Sequence, residues 1–394
     1  MFNFKTFNNI AEDGLDILRK NKFKEVFENP DGILLRSHNL LKEDFEDNLL
    51  CIARAGAGTN NIPKDDATKK GIVVFNTPGA NANAVKELVI CGMLLSSRGI
   101  VEGIEFAKNL DLEDSAGLNQ AMEAQKKTFA GNELAGKTLG IVGLGSIGSM
   151  LAQAAHTLGM KLVGYDPYIS IEGAWRLPRE VEKAETMEAL LQQSDYVSLH
   201  VPLVEDTKNL INESNLNKFK KGARLINLSR GGIVNTNDVI AELENGNLGR
   251  FVTDFPTPEL IKRSAEKNDV ILLPHLGAST KEAEINCAVM AANQMVNYLQ
   301  DGTILNSVNF PRISLSRGTN HRLVIINHNE PGMIGKIADS IAACDINIAE
   351  MTNKSRDEIA INLIDLECQA SEELINQLRS VEHVMSVRSL DISS

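Results

Sequence analysis

The sequence predicts an α/β chain made of two parallel-sheet domains and a smaller antiparallel one. Three observations carry this. Short apolar runs with β character alternate with amphipathic helical segments from residue 5 to about 275. A strand, a glycine turn and a helix follow one another without interruption between residues 138 and 158. From residue 318 onward the rhythm changes to strand, helix, strand, strand, helix, strand.

In chain order, residues 5–7, 33–35, 49–53 and 72–75 read as strands separated by amphipathic segments, which suits a small parallel unit. After the third strand, Arg54-Ala55-Gly56-Ala57-Gly58 forms a glycine loop with no third glycine and no helix behind it. It is a poor dinucleotide site. It can offer backbone N–H groups to a small carboxylate or serve as a plain turn, and spacing alone does not decide between the two. Residues 78–108 read as one long helix opening with Asn81 and Asn83, and 109–132 as a polar surface helix or linker.

The organising stretch is 137–166. An apolar strand runs into Gly143-Leu144-Gly145-Ser146-Ile147-Gly148, and a helix carrying Ile147, Leu151, Ala154, Ala155 and Leu158 follows. Gly143 permits the tight turn, Gly145 leaves room for a pyrophosphate against bare backbone, and Gly148 lets helix and strand pack closely. The helix N-terminus then presents free N–H groups and the positive end of its dipole to the phosphates. A second strand ends at Asp166, eighteen residues after Gly148. A carboxylate there accepts hydrogen bonds from the ribose hydroxyls and repels a 2′-phosphate, so the expected cofactor is NAD rather than NADP.

Beyond it, 196–199, 224–228, 250–253 and 270–273 read as strands, with helices near 187–193, 213–218 and 237–245, completing a doubly wound Rossmann sheet. Ligands of such sheets sit beyond the carboxyl ends of the strands. Four ends are chemically loaded: His200-Val201-Pro202, Ser229-Arg230-Gly231-Gly232, Asp254 with Glu259 five residues on, and Pro274-His275-Leu276-Gly277. A base, an anion clamp and a carboxylate that tunes the base are what proton-coupled hydride transfer needs.

Composition excludes other classes. Fifty-two acidic against forty basic residues give a formal charge of −12, which argues against nucleic acid or an anionic membrane as partner. The start of the chain lacks the marks of a leader and no apolar run reaches membrane-spanning length, so a cytoplasmic protein is expected. Five scattered cysteines without CxxC spacing suggest buried thiols, with no disulfide and no metal site.

The segments Gly143–Gly148, LHVPLVEDT (199–207), LINLSRGGIVN (225–235), Asp254 through Glu259 and PHLGAST (274–280) follow one another in the order of the D-isomer-specific 2-hydroxyacid dehydrogenases. RAGAGTNNI (54–62) and NTPGANANAVKEL (76–88) resemble that family's substrate-side segments, so the likeness covers roughly residues 33–310. It implies Arg230, Glu259 and His275 as catalytic residues. It places the cofactor on Gly143, Gly145, Ser146, Ile147, Gly148, Asp166, His200, Val201, Pro202, Thr207, Leu228, Ser229, Asp254 and Gly277. It places the substrate, a small phosphorylated hydroxy acid, on Arg36, Ser37, Arg54, Ala55, Gly56, Ala57, Gly58 and Asn83. The local text departs at TDFPTPE, where the family runs closer to DVFxxEP, although the five-residue offset from Asp254 survives.

The resemblance also sets the domains: a flavodoxin-like substrate domain over 1–98 completed by 277–311, an NAD-binding domain over 99–276, and a ferredoxin-like βαββαβ domain over 318–394. The last resembles the ACT regulatory domain, which implies an amino-acid effector, L-serine first, at Asn327, Asn329 and Asn347. Asn327 stands where serine-responsive members commonly carry a histidine. Such a sheet, with both helices on one side, leaves an edge and a face to cover, so a homo-oligomer formed through a second copy is expected. Two other functions stay open on sequence: a reductase of glyoxylate, hydroxypyruvate or another 2-hydroxy acid, and a non-enzymatic NAD- and amino-acid-sensing protein.

Overall fold

The computed structural model describes residues 1–111 and 114–392. Leu112 and Glu113, inside the stretch read as surface helix or linker, lie outside the described residues, as do Ser393 and Ser394. The chain forms two compact units, Ala82–Thr280 and a discontinuous one of Met1–Asn81 with Lys281–Ser394.

In the discontinuous unit, β1 (Asn3–Phe7), β2 (Lys24–Glu25), β3 (Gly32–Leu35), β4 (Cys51–Arg54) and β5 (Val73–Phe75) make one parallel sheet in the order β2-β1-β3-β4-β5. This is the flavodoxin-like order. The two-residue β2 is exposed and polar, so it carries no apolar signal in the sequence. Helices α1 (Glu12–Lys20) and α2 (Lys64–Lys69) connect the strands. Both sheet faces are buried, which is why the strands read as continuous apolar runs: Leu34, Cys51 and Phe75 face one core, Leu35, Ile52 and Val74 the other.

The contiguous unit opens with α3 (Ala82–Ser97), α4 (Ile100–Lys108) and α5 (Ser115–Gln125). The single helix expected over 78–108 is broken at Arg98-Gly99, where the Gly99 amide donates to the Phe129 carbonyl and a Cβ would meet the Phe129 backbone. Helix α3, expected with the first domain, belongs here. Val85, Val89 and Met93 pack with Leu139, Ile141, Tyr196, Ile226 and Val252, and that shared core sets the boundary at Asn81/Ala82 rather than at residue 98.

The seven strands of this unit are β6 (Thr138–Val142), β7 (Lys161–Tyr165), β8 (Val181–Lys183), β9 (Tyr196–Leu199), β10 (Ala223–Asn227), β11 (Leu248–Thr253) and β12 (Val270–Leu272). All are parallel, in the order β12-β11-β10-β9-β6-β7-β8. Helices α6 (Ser146–Thr157), α7 (Ile171–Ala174), α8 (Met187–Gln193), α9 (Glu213–Leu216), α10 (Thr236–Glu244) and α11 (Pro258–Glu266) link them. The order reverses between β6 and β9. The carboxyl ends of these two strands therefore flank the crevice in which such a sheet binds its ligand.

Helix α12 (Lys281–Asp301) returns the chain to the discontinuous unit, where Cys287, Ala291, Met295 and Leu299 enter the core of β1–β5. The C-terminal module follows as β13 (His321–His328), α13 (Met333–Ala342), β14 (Ile348–Arg356), β15 (Ile359–Leu366), α14 (Glu372–Ser380) and β16 (Val384–Asp391). Its sheet is antiparallel in the order β14-β15-β13-β16, the ferredoxin-like plan. Leu323, Ile325 and Ile364 pack beneath Ile337, Ile341, Leu374 and Leu378 of the helices. The opposite face, expected to need a second copy, is covered by this chain itself: Val324, Ile326, Ile361 and Leu363 join Tyr298, Leu299 and Phe310 in one core. Strand β14 lies at one edge of the sheet and is half-buried or exposed along its length.

An ion network centred on the enclosed pair Arg322 and Asp365 fastens the module. Arg322 donates through Nε to Asp365 at 2.6 Å and through Nη2 to its other oxygen at 2.9 Å, and reaches Asp301 at 3.2 Å. Arg317 holds Asp301 at 2.8 Å and the Leu390 carbonyl at 3.0 Å. Burial works against the Asp365 carboxylate, but Arg322, the Gly318 amide and Arg317 outweigh it and hold its carboxyl below the usual range.

Candidate active site

The glycine turn has the geometry its residues demand. Gly143 takes φ +91°, and a Cβ there would meet the His200 carbonyl carbon at 2.9 Å. A Cβ on Gly148 would collide with the Gly143 carbonyl oxygen, whereas one on Gly145 would meet nothing within 4 Å. The turn is thus closed at both ends and open in the middle, where a pyrophosphate approaches. Ser146 and Ile147 open α6, whose first amides have no partner within the helix.

Asp166, after β7, accepts from the Leu144 amide at 2.8 Å and from the Tyr168 amide at 3.0 Å. One carboxylate thereby ties the glycine turn to the end of the second strand. Leu144, Gly145, Ser146 and Asp166 line a cavity of about 280 Å³ together with Ser170 and Arg176, which no sequence motif had marked. These residues fit an adenine dinucleotide: an open glycine, free helix amides and a carboxylate at the ribose position.

At the other strand ends, polar atoms stand unsatisfied. His200 is held by Ser198 Oγ, 2.9 Å from Nε2, while its buried Nδ1 has no partner. Burial lowers its pKa to about 4, so the ring is neutral near pH 7. Val201 and Pro202 follow, and Thr207 closes their loop by donating to the Pro202 carbonyl at 2.5 Å. After β10, the Ser229 hydroxyl and amide both reach Asn227 Oδ1, which fixes the turn that presents Leu228 and the exposed Arg230.

Asp254 is 1% exposed; its Oδ2 accepts from the Gly277 amide at 3.3 Å and its Oδ1 has no partner. Burial raises its carboxyl above the usual range, and His275 with the Gly277, Asp254 and Leu276 amides offsets only part of that. His275 sits after β12 in a left-handed conformation, φ +33°, its amide donating to the Asp254 carbonyl and its ring edge-on to Phe255 at 5.1 Å. A non-glycine residue in that region is strained, and such strain gathers at functional sites.

One expected pairing is missing: no hydrogen bond or ion pair joins His275 to Glu259 among the described residues. Glu259 lies in the first turn of α11, where its own amide and the Thr257 hydroxyl hold its carboxyl below the usual range. Asp254 is the acid on whose carboxyl the His275 ring acts.

The substrate-side residues of the discontinuous unit surround the β3 and β4 ends. Arg54 Nε donates to the Arg36 carbonyl at 3.0 Å, Arg36 pairs with Glu284 at 2.6 Å, and the Ser37 amide reaches Asn8. The Gly56 carbonyl accepts from Thr77 and the Ala57 carbonyl from Asn76, so Ala55–Gly58 is a braced loop. Asn83 falls in the contiguous unit, bonded to Lys86 and Glu87.

Of the effector candidates, Asn327 is enclosed. It donates to the His328 carbonyl at 2.6 Å and accepts from Asn362 at 2.8 Å, and Asn362 in turn accepts from Asn353. Asn329 donates to the Asp357 carbonyl and Asn347 to Glu367, at opposite ends of the sheet. Cys51 and Cys287 are buried, as expected of the thiols, but Cys91 and Cys368 are exposed. Among the described residues there is no metal-binding cluster and no helix long and apolar enough to cross a membrane.

Residues 99–277 match the NAD-binding domain model of the D-isomer-specific 2-hydroxyacid dehydrogenases. D-3-phosphoglycerate dehydrogenase of Haemophilus influenzae is 33% identical over 382 residues, 94% of this chain and 88% of that protein. The chain belongs to the D-isomer-specific 2-hydroxyacid dehydrogenases. The Escherichia coli (strain K12) D-3-phosphoglycerate dehydrogenase is 32% identical over 94% of this chain and 89% of that protein. Among solved structures, the NAD⁺-bound 3-phosphoglycerate dehydrogenase of Entamoeba histolytica is similar at 26% identity and a TM-score of 0.60, over 78% of this chain and 98% of that one. NAD is therefore the cofactor of this 2-hydroxyacid dehydrogenase.

Proposed function

We propose that the chain oxidises 3-phospho-D-glycerate to 3-phosphooxypyruvate, the entry into L-serine synthesis, in the cytoplasm. The observation that carries this is the reach of the phosphoglycerate dehydrogenase likeness, over 94% of the chain and so into the C-terminal module. Held by the glycine turn, the α6 amides and Asp166, NAD would supply the acceptor for the C2 hydride. His275 receives the C2 hydroxyl proton on its imidazole as that bond to hydrogen breaks, and Arg230 holds the substrate carboxylate and polarises the C2 oxygen. Glu259 or Asp254 supplies the carboxylate that stabilises the imidazolium formed in that step, the Asp254 carbonyl already accepting the His275 amide.

A second reading has an observation of its own. Arg36 is paired with Glu284, and Lys86 is bonded to Asn83 and lies 3.9 Å from Glu87, so two basic residues suited to a phosphate are already engaged. A non-phosphorylated acid suits that arrangement. NADH formation from 3-phosphoglycerate, D-glycerate, D-lactate and glycolate separates the readings. A kcat/KM highest for 3-phosphoglycerate supports the first; one highest for an unphosphorylated acid replaces it.

The regulatory part of the reading is that L-serine binds the module of a homo-oligomer. Asn329 and Asn347 stand about 25 Å apart along an eight-residue strand, so one ligand meets both only where two copies adjoin. Serine titrated against activity and against oligomer size tests this.

A further inference from the structure

Asp166 is the expected bar to a 2′-phosphate, yet it does not stand alone in its cavity. Both its oxygens already accept backbone amides, from Leu144 and Tyr168. The same cavity of about 280 Å³ is lined by the exposed Arg176, whose guanidinium makes no hydrogen bond or ion pair among the described residues. Ser170, also on the wall, accepts the Gly173 amide at Oγ and keeps its own hydroxyl proton to donate. The two ionised side chains of the cavity therefore cancel in formal charge, and amide donors further dilute the carboxylate's field. A guanidinium offers a planar fork of donors that matches phosphate oxygens, and in this fold an acid serves the ribose hydroxyl of NAD whereas a nearby arginine accommodates a 2′-phosphate; this cavity holds one of each.

We infer that Arg176 is a second determinant of cofactor choice, receiving an adenosine 2′-phosphate so that the site takes NADP as well as NAD. The inference rests on the reading of this cavity as the adenosine end of the cofactor site. Its sequence signal is slight, because Arg176 lies beyond the short α7, ten residues past Asp166, at no spacing that a motif prescribes.

Binding can be followed without turnover, since the only tryptophan of the chain, Trp175, is 84% exposed and adjacent to Arg176. AMP and 2′,5′-ADP are titrated into the full-length protein by tryptophan emission and by calorimetry. The two ligands differ only in the 2′-phosphate. The expected result is comparable affinity for both in the native protein, and a Kd ratio shifted about tenfold or more against 2′,5′-ADP in Arg176→Gln, the scale of a hydrogen bond to a charged group. Asp166→Asn should shift the ratio the other way. An unchanged ratio in Arg176→Gln, including equal loss of both ligands, overturns the inference while leaving the cofactor site in place. Failure of the native protein to bind AMP, 2′,5′-ADP or NAD overturns the cavity assignment along with it.

Discussion

The rim of the seven-stranded sheet and the C-terminal module handle buried polarity in opposite ways. At the rim, Asp254 Oδ1 and His200 Nδ1 are enclosed without partners, and Arg230, Glu259 and His275 extend exposed. In the module, Arg322 meets Asp365 with two hydrogen bonds and Asn353, Asn362 and Asn327 form a closed ladder across the sheet. A buried polar group without a partner is unfavourable by roughly 1–3 kcal/mol, so its persistence marks a place where a ligand completes the bonding. A satisfied network instead fixes one arrangement of strands.

The comparison is broken most severely by removing one charge of the closed network. Asp365→Asn leaves the buried Arg322 with Asp301, at 3.2 Å, as its remaining carboxylate partner and should lower stability by up to about 3–5 kcal/mol, read from the denaturant midpoint. An unchanged midpoint would mean that the pair fixes nothing. For the native protein, the depressed Asp365 carboxyl contributes stability that is present above the unfolded value near 4 and lost as pH falls below it.

His200 tests the open side by pH. An unfolded histidine titrates near 6.5, whereas burial lowers this one to about 4. Between those values the unfolded chain binds the extra proton, so stability falls as pH drops from about 6.5 towards 4, by about 3 kcal/mol in all. His200→Gln should flatten that part of the profile of thermal midpoint against pH, and an unaltered slope would show that the ring is charged when folded.

Function should respond at His275 with little change in stability. His275→Ala is expected to lower kcat at least about 10²-fold, the scale of losing a general acid or base, with the melting temperature nearly kept. Comparing Asp254→Asn with Glu259→Gln then identifies the partner acid, because the true one displaces the pH profile of kcat/KM. Last and smallest, Asn362→Ala should destabilise by about 1–2 kcal/mol, the scale of unpaired amide groups, and leave the pH profile untouched. A displaced profile would mean that the ladder communicates with the site.

Much of this was legible in the sequence because its signals are local. The glycine turn, the acid at the end of β7 and the residues after β9, β10, β11 and β12 all follow from strand-end chemistry, and the C-terminal strands and helices follow one another in the expected order. What escaped depends on distant partners. The break at Gly99 answers to Phe129, the placement of α3 answers to β10 and β11, and the covered face of the module answers to Tyr298 and Leu299. Asn327 is expected at an effector site only through the resemblance to the ACT domain, in which that position commonly holds a histidine. Its hydrogen bond with Asn362, thirty-five positions on, ties it into the sheet, a contact that no local pattern announces.

The chain path has a consequence for synthesis. The core of the discontinuous unit sets Phe4, Leu34, Cys51 and Phe75 against Ala288, Met295 and Leu299, and the Val74 amide needs Asn309. Residues 82–280 emerge from the ribosome in between, and they form a contiguous unit able to fold at once. At about 5–20 residues per second, the first strands wait on the order of 10–40 s with an apolar face uncovered. Nascent residues 1–81 are therefore the segment most in need of a holding chaperone, and α12 is the element whose arrival releases them.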